Sequence, residues 1–444
     1  MVAFYKDYNR PITYNPLWYH DYEGDQPGLG WASQDTTLLP GWSPRGSFAD
    51  LKFWIDTNGI EAQSYGRSGL LPDGTMSHHT GLRQDLAMYA YGYEWLTEEP
   101  YIFASYLKDT VFEPSSTPFE FSFRVLNHIM PWLLYGTAHD FQATGRSHYQ
   151  PHVADFGSYV FSRDVERLFI GAPAGTNVEL SEQLSTFITT LSDNSHQRLG
   201  SKAFWANDYL IHRREKWDSL SATTQEWFSS VKMESQRTRG AESFSDSAFG
   251  FMNGRGILQV KTHPHDYTAI RYDWDWHLLP GITESWRQDP LPLPSSEKAA
   301  NPSAFSSVLA NDYDLPENAY SMAAFEYASD HSYTTVAANK SYFFLDEAVV
   351  ALGNSIRRVR DDLSTPDGNA NILTVIDQVH WQTPFTFNPG QGAQVGISGV
   401  KTVSLRSSWS SNPASNPSLP YEQQIMWFHQ AIKAMSSFLN YSRK

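Results

Sequence analysis

The sequence predicts an α+β multidomain protein, a helical array followed by stacked antiparallel sheets. Three observations carry this. Between about residues 80 and 215, apolar residues recur at three- and four-residue spacing in HTGLRQDLAMYAYGYEWL, TPFEFSFRVLNHIMPWLLYGTA, VELSEQLSTFITTLSD and AFWANDYLIHRREKW. Short Pro/Gly/Asp segments separate these runs, as between the helices of an array. From about Val231 the period changes. GRGILQVKTH, DYTAIRYDW, HSYTTVAANKSYFFLD, AVVALGNSI, NILTVIDQVHW and TVSLRSSW are short and rich in β-branched and aromatic residues, with turn residues between them.

In chain order, residues 1–45 are rich in Tyr, Trp, Pro and Gly, lack periodicity and form an irregular N-terminal segment. Residues 46–222 make the helical domain and residues 223–444 the β domain, with the change of texture between Asp218 and Trp227. PLPLPSSEKAANPSAF, Pro290 to Phe305, is a surface loop. FHQAIKAMSSFLNYSRK, at the end of the chain, returns to helical periodicity. There is no tandem repeat.

Composition narrows the function. The 444 residues are 41% hydrophobic and 18% charged, enough apolar mass for a large core. Aromatics reach 15%, including 15 Trp and 24 Tyr, which serves large cores or an aromatic-lined cleft for flat ligands. A net charge of −15 with no Lys/Arg run argues against a nucleic-acid partner. It also works against long-range attraction of a polyanion, so any anion site must be local. With no cysteine, thiolate nucleophiles, disulfides and Cys-based zinc sites are excluded. No apolar run is long enough to span a bilayer, so no membrane partner is expected. MVAFYKDYNRP lacks a signal core, so the protein stays in the cytosol or its export signal precedes this numbering.

The segment DGTMSHHTG, Asp73 to Gly81, presents His78 and His79 after a tight Asp-Gly turn, and MYAYGYEW, Met88 to Trp95, follows on an expected helix. An imidazole and a phenol within mutual reach can remove a carbon-bound proton and protonate a leaving oxygen. On that helix Tyr89 and Tyr93 would share a face and Tyr91 would point away from them. Gly145-Arg146 follows a long helix, where the guanidinium can neutralise a carboxylate through paired hydrogen bonds. Asn253-Gly254-Arg255 is first a hairpin signal at a strand start. No Walker loop, dinucleotide fingerprint, G-x-S-x-G elbow or H-E-x-x-H occurs.

Taken together, these residues resemble polysaccharide lyase family 8, the hyaluronate, chondroitin AC and xanthan lyases. Asp73 to His79 with Tyr91-Gly92 is similar to the family's histidine segment and following Tyr-Gly, and Gly145-Arg146 to its Gly-Arg segment. WHLLPGITE, Trp276 to Glu284, and KSYFFLDEAVVALGNSI, Lys340 to Ile356, resemble two strand motifs of its β half. The resemblance covers about residues 45–385.

That resemblance implies an incomplete (α/α) toroid followed by β-sandwich layers, and β-elimination at a uronic acid of an acidic polysaccharide. It implies Tyr91 as base and acid, His79 as its assistant and Arg146 as the cleft charge. Because the His79-to-Tyr91 spacing exceeds the family's, Tyr89 stays a rival to Tyr91. Gln150 stands where a second Arg is usual, and Asn58 is the only close match to the family's asparagine. Substrate-binding roles fall to His78, Asn58, Trp95, Trp132, Arg255 and Asn253. No cofactor is required, although a structural Ca²⁺ among loop carboxylates of the β half is an expectation. By resemblance the protein is secreted or periplasmic. Two other readings stand beside the lyase. One is a non-catalytic glycan-binding protein. The other is a helical-toroid glycoside hydrolase, which needs two carboxylates flanking the bond; Asp73 and Asp85 lie nearby.

Overall fold

The computed structural model describes residues 69–70, 73–78, 87–88, 104–143, 168–189, 198–218, 223–235, 238, 249–264, 266–267, 274–285, 290–291, 304–308, 320–328, 336–346, 348–358, 372–378, 386–388, 394–395 and 427–429. Among them, helices precede the two four-stranded antiparallel sheets, as the sequence predicts.

Three short strands come first: β1 (Gly69–Leu70), β2 (Met76–His78) and β3 (Ala87–Met88), an antiparallel sheet in the order β1-β2-β3. Ala87 and Met88 were expected inside a helix. They pair instead with His78 and Ser77.

Helix α1 spans Ala104–Leu107, α2 Thr117–Leu133 and α3 Val178–Thr189. Pro118 opens α2, where a missing N–H costs nothing, and Glu120 complements the positive end of the helix. Pro131 near the other end limits further winding, and the chain passes into the hairpin β4 (Leu134–Tyr135) and β5 (Ala138–His139). The Asn127 side-chain amide of α2 donates to the Leu180 carbonyl of α3 at 2.9 Å.

Two four-stranded antiparallel sheets follow. The first runs β6 (Gly200–Phe204), β7 (Tyr209–Asp218), β8 (Thr223–Lys232) and β9 (Ile257–Lys261); the second runs β11 (Ala304–Val308), β12 (Ser321–Ala328), β13 (Val336–Phe344) and β14 (Val349–Arg358). β10 (Thr283–Ser285) pairs with β15 (Ile372–Thr374), and β16 (Thr386–Asn388) lies between β17 (Gln394–Val395) and β18 (Trp427–His429). Two helical expectations are corrected here. AFWANDYLIHRREKW forms β6, a 3-10 turn at Trp205–Asn207 and β7, and Phe428 and His429 lie in a strand. The sheet therefore begins at Gly200, inside the segment read as helical.

The first sheet is the middle layer, because its strands alternate between two buried faces. Phe204, Tyr209, Ile211 and Phe228 join the core of α1, α2 and α3. Ala203, Leu210 and Val231 join a second core with Phe325, Tyr327, Val336, Tyr342 and Phe344 of the second sheet. A third core, rich in aromatics, gathers Phe141, Phe251, Tyr267, Trp274 and Trp276. The inter-sheet contact is tight at Gly256. With φ of 77°, a Cβ there would lie 2.6 Å from the Tyr342 hydroxyl.

Candidate functional site

The turn that precedes His78 and His79 is pinned to both the helical layer and the first sheet. Asp73 is buried, and one carboxylate oxygen accepts the Thr75 N–H at 2.9 Å, closing an Asx turn. Its other oxygen accepts the Ala206 N–H at 2.7 Å, from the 3-10 turn between β6 and β7. Burial raises the Asp73 carboxyl above its usual range, and the two N–H donors and Lys202 act in the opposite direction. Gly74, with φ of 88°, leaves room for the side chain above it: a Cβ would sit 2.2 Å from Ile129 Cδ1 of α2. That φ is one which L side chains rarely adopt, and any Cβ there would also push aside the end of the Ile129 side chain. β2 begins directly after this turn, so the backbone carrying His78 is held at the junction of helices and sheet. The His78 side chain, His79, Tyr89, Tyr91 and Trp95 lie outside the described residues, as do Asn58 and Arg146.

The segment leading to Gly145-Arg146 is anchored in the same layer. After β5 the chain enters a 3-10 turn at Phe141–Ala143, and Asp140 sits just before it. Asp140 is fully buried and accepts the Lys261 ammonium at 2.6 Å and the Tyr209 hydroxyl at 2.5 Å. The Gln142 side-chain amide donates to the Ile257 carbonyl at 3.0 Å. One carboxylate and one amide thus tie the start of that segment to β7 and β9. Beside them, burial lowers the His139 imidazole to about 3, with Asp140 opposing and Lys261 reinforcing the effect. His139 is therefore neutral at physiological pH.

A buried arginine finishes α2. Arg213 of β7 is 0% exposed and donates to the Pro131 carbonyl at 2.8 Å and to the Leu134 carbonyl. These are carbonyls that a helix end leaves without an intrahelical donor. Its Nε lies 3.2 Å from Glu226, and its guanidinium lies over the Tyr135 and Phe228 rings. Trp132, expected to touch substrate, packs 5% exposed in the helical core beside this cap.

The Asn253-Gly254-Arg255 turn does lead into a strand, β9, as the hairpin signal predicts. Both Asn253 and Arg255 are buried. Arg255 donates to the Tyr327 hydroxyl and lies 3.4 Å from Glu284, while Tyr327 in turn donates to Glu284. Burial disfavours the Arg255 charge, but Tyr327, Glu234 and Glu284 outweigh it and the pKa is raised. The arrangement ties the turn to β10 and β12. The sequence assigns no role to Asp140, Lys261 and Arg213, whose only signal is a charged residue inside an apolar stretch, and their partners lie far away along the chain; Glu284 ends the WHLLPGITE motif, but its pairing with Arg255 and Tyr327 is likewise long-range.

For a metal, the described residues contain no group of three or more His, Cys, Asp or Glu able to hold an ion. Asp266, in the loop after β9, accepts the N–H groups of Thr262 at 2.8 Å and His263 at 2.9 Å. Asp377 accepts the Tyr267 hydroxyl at 3.0 Å. The donor set expected for Ca²⁺ is thus not assembled among these residues. No helix among them is long and apolar enough to cross a membrane.

Chemically, the junction offers a fixed backbone for a histidine segment on one side and for an arginine segment on the other. Comparison with known proteins bears on this layout. The family model for the polysaccharide lyase family 8 super-sandwich domain matches residues 199–424, starting where β6 starts. Chondroitinase-AC of Pedobacter heparinus is 26% identical over 201 residues, covering 45% of this chain and 24% of that protein. Chondroitin sulfate ABC exolyase of Proteus vulgaris is 23% identical over 349 residues, covering 74% of this chain and 33% of that protein. The chain therefore spans a third or less of the length of these curated relatives. Among solved structures, a chondroitinase AC lyase studied as oligosaccharide complexes aligns with a TM-score of 0.58 and 18% identity, over 88% of this chain and 58% of that one. A Paenibacillus xanthan lyase aligns with a TM-score of 0.52 and 16% identity, over 77% and 32%. At these identities the structural likeness establishes the fold.

Proposed function

Because this chain belongs to polysaccharide lyase family 8, we propose that it cleaves a uronic-acid-containing polysaccharide by β-elimination, in a secreted or periplasmic setting. The observation that carries the reading is the Asp73-Gly74 turn. It locks the strand leading to His79 onto the sheet where the family match begins. The helical layer, on this reading, is part of an incomplete (α/α) toroid.

The chemistry follows from the substrate. A uronate carries a weakly acidic C5 proton, and its carboxylate resists further negative charge. Arg146 neutralises that carboxylate by paired hydrogen bonds, assisted by Asn58. Tyr91, or Tyr89 in its place, removes the C5 proton and returns a proton to the O4 leaving group. His79 assists as base or as stabiliser of the developing charge. His78 and Trp95 contact the sugar, whereas Trp132, Asn253 and Arg255, expected to do so, are buried and hold the fold instead.

The test is an absorbance screen over hyaluronan, chondroitin, xanthan, glucuronan and alginate. A lyase generates ultraviolet absorbance from the new C4–C5 double bond. Tyr91→Phe and His79→Ala abolish that signal and leave the unfolding transition intact. Glycan binding without absorbance, insensitive to Tyr91→Phe, would instead establish a binding protein. New reducing ends without absorbance would establish a hydrolase.

A further inference from the structure

The second four-stranded sheet ends on an open strand. β14 runs ten residues, Val349 to Arg358, in VVALGNSIRR. It pairs with β13 on one side, and no other strand pairs with it among the described residues. Val349 is partly buried and packs against the core between the two sheets. Every residue after it in the strand is exposed. Val350 and Leu352 stand across from Phe343 and Ser341, on the face turned away from that core, and Leu352 is 53% exposed. The first sheet treats its edges differently. β6 is buried along its whole length, and the Leu258 N–H of β9 donates to the Pro280 carbonyl at 3.0 Å.

Sheet edges are kept from pairing with other chains by Lys, by Pro, by shortness or by a bulge. β14 has neither Lys nor Pro and is long, and its bulge comes late. Asn339 of β13 faces Asn354 and Ala337 faces Arg357, so Ser355, with φ of 53°, and Ile356 are the extra pair opposite Ala338. The regular open edge is therefore Val349–Asn354. The two ends of the strand carry opposite charge. Asp346 and Glu347 precede it, and Arg357 and Arg358 close it. Arg214 offsets the Asp346 charge at 3.3 Å, and Glu347 adds a further acid to the same end. An antiparallel strand of the same sequence sets each acidic start beside the other's basic end, at both ends of the pairing. A parallel copy would oppose like charges.

We propose that β14 is the pairing edge of a homodimer: two copies of this chain join Val349–Asn354 antiparallel about a two-fold axis and continue the second sheet from one copy into the other. The outward backbone N–H and C=O groups of each strand then gain partners. Val350 and Leu352 of both copies meet near the axis and leave water together. The contact closes at two copies, because the pairing uses up β14 in both. It is small beside an obligate interface, so the dimer forms in a concentration-dependent way. The inference is independent of the lyase reading and stands or falls without it.

The experiment follows the mass of the full chain by sedimentation and light scattering over a wide range of protein concentration. Expected is a shift from one chain to two as concentration rises, with no larger species. Hydrogen exchange of the Val349–Asn354 amides slows over the same range, because edge amides become ladder donors. Leu352→Lys sets like charges across the two-fold axis and weakens the dimer by about tenfold. Arg357→Glu removes one end pairing and weakens it by about threefold. Both positions are exposed, so each variant keeps the melting temperature of the single chain. A chain that stays single at every concentration overturns the proposal. A dimer that neither variant weakens also overturns it, because another surface then makes the contact. Amides of Val349–Asn354 already protected while the chain is single overturn it as well, since the chain itself then covers the edge. Open-ended growth beyond two copies does the same.

Discussion

On the helix side of the first sheet, buried charges meet complementary partners: Arg213 caps α2 and pairs with Glu226, and Asp140 takes both Lys261 and Tyr209. On the side facing the second sheet the same chain buries Glu234, and neither of its oxygens accepts a hydrogen bond among the described residues. Arg255, Tyr327 and Glu284 bond to one another there, and Lys340 of β13 donates to the Gly281 carbonyl with its pKa lowered by burial to about 7. The difference follows from what each face must hold. The helix face fixes two segments that the proposed chemistry needs in register. The inner face only has to join two sheets, which apolar packing accomplishes through Leu210, Val231, Phe325 and Tyr342. Buried charge on the helix face should therefore matter more when it is removed.

The largest expected effect is that of Arg213→Met. It strands Glu226 and uncaps the Pro131 and Leu134 carbonyls inside the core. Breaking a buried pair from one side costs about 3–5 kcal/mol, measured as a lower urea midpoint. A loss near zero would break the comparison, because the best-connected charge of the helix face would then contribute nothing.

Asp73→Asn comes next. The amide can still accept the Thr75 N–H, but its NH₂ would face the Ala206 N–H, donor against donor. A buried hydrogen bond lost in this way costs about 1–3 kcal/mol. If the turn positions His79, kcat on a uronan falls by about ten- to a hundredfold while KM changes little, since small misplacements of a reacting group are that costly. A purely structural role would lower the melting temperature and leave kcat of the folded fraction unchanged. That outcome would separate the turn from the chemistry.

How far these features could be read from the sequence depends on the reach of each interaction. Helix α2 announced itself through an apolar stripe and Pro118, and β13 through VAANKSYFF with its alternation. β7 did not. In YLIHRRE, Tyr209 and Ile211 serve the helices while Leu210 serves the second sheet, so both faces are apolar and the period of two is lost. Arg213 and His212 look like surface residues, yet each is buried against a partner far away in sequence. For the site, the Asp-Gly turn was legible because its first bond is local, to Thr75. Its second bond, to Ala206, spans 133 residues and belongs to the fold. Ala87 and Met88 differ from the helical expectation for a related reason: their pairing with Ser77 and His78 of β2 is a contact across the sheet that helical spacing does not reveal. Of the expected acid–base residues, the structure describes the backbone at His78 and the turn before it.

The smallest expected effect, and the only one of opposite sign, belongs to the inner face. Burial raises the Glu234 carboxyl above 4.5, opposed by Arg255 and Lys232 and assisted by Glu284 and Asp208. The folded state then holds the proton more tightly than the unfolded chain does. Stability from this group is complete below pH 4.5 and falls as pH rises from 4.5 toward the raised value, the window in which the unfolded chain has already released its proton. Glu234→Gln keeps the shape and the neutral form, so it removes that decline. The variant should match the parent in acid and exceed it at neutral pH, with a flatter dependence of unfolding free energy on pH above 4.5. A variant less stable than the parent at neutral pH would show instead that the Glu234 charge pairs productively with Arg255. The two faces of the sheet would then treat buried charge alike, and the contrast between them would rest on Asp73 and Arg213 alone.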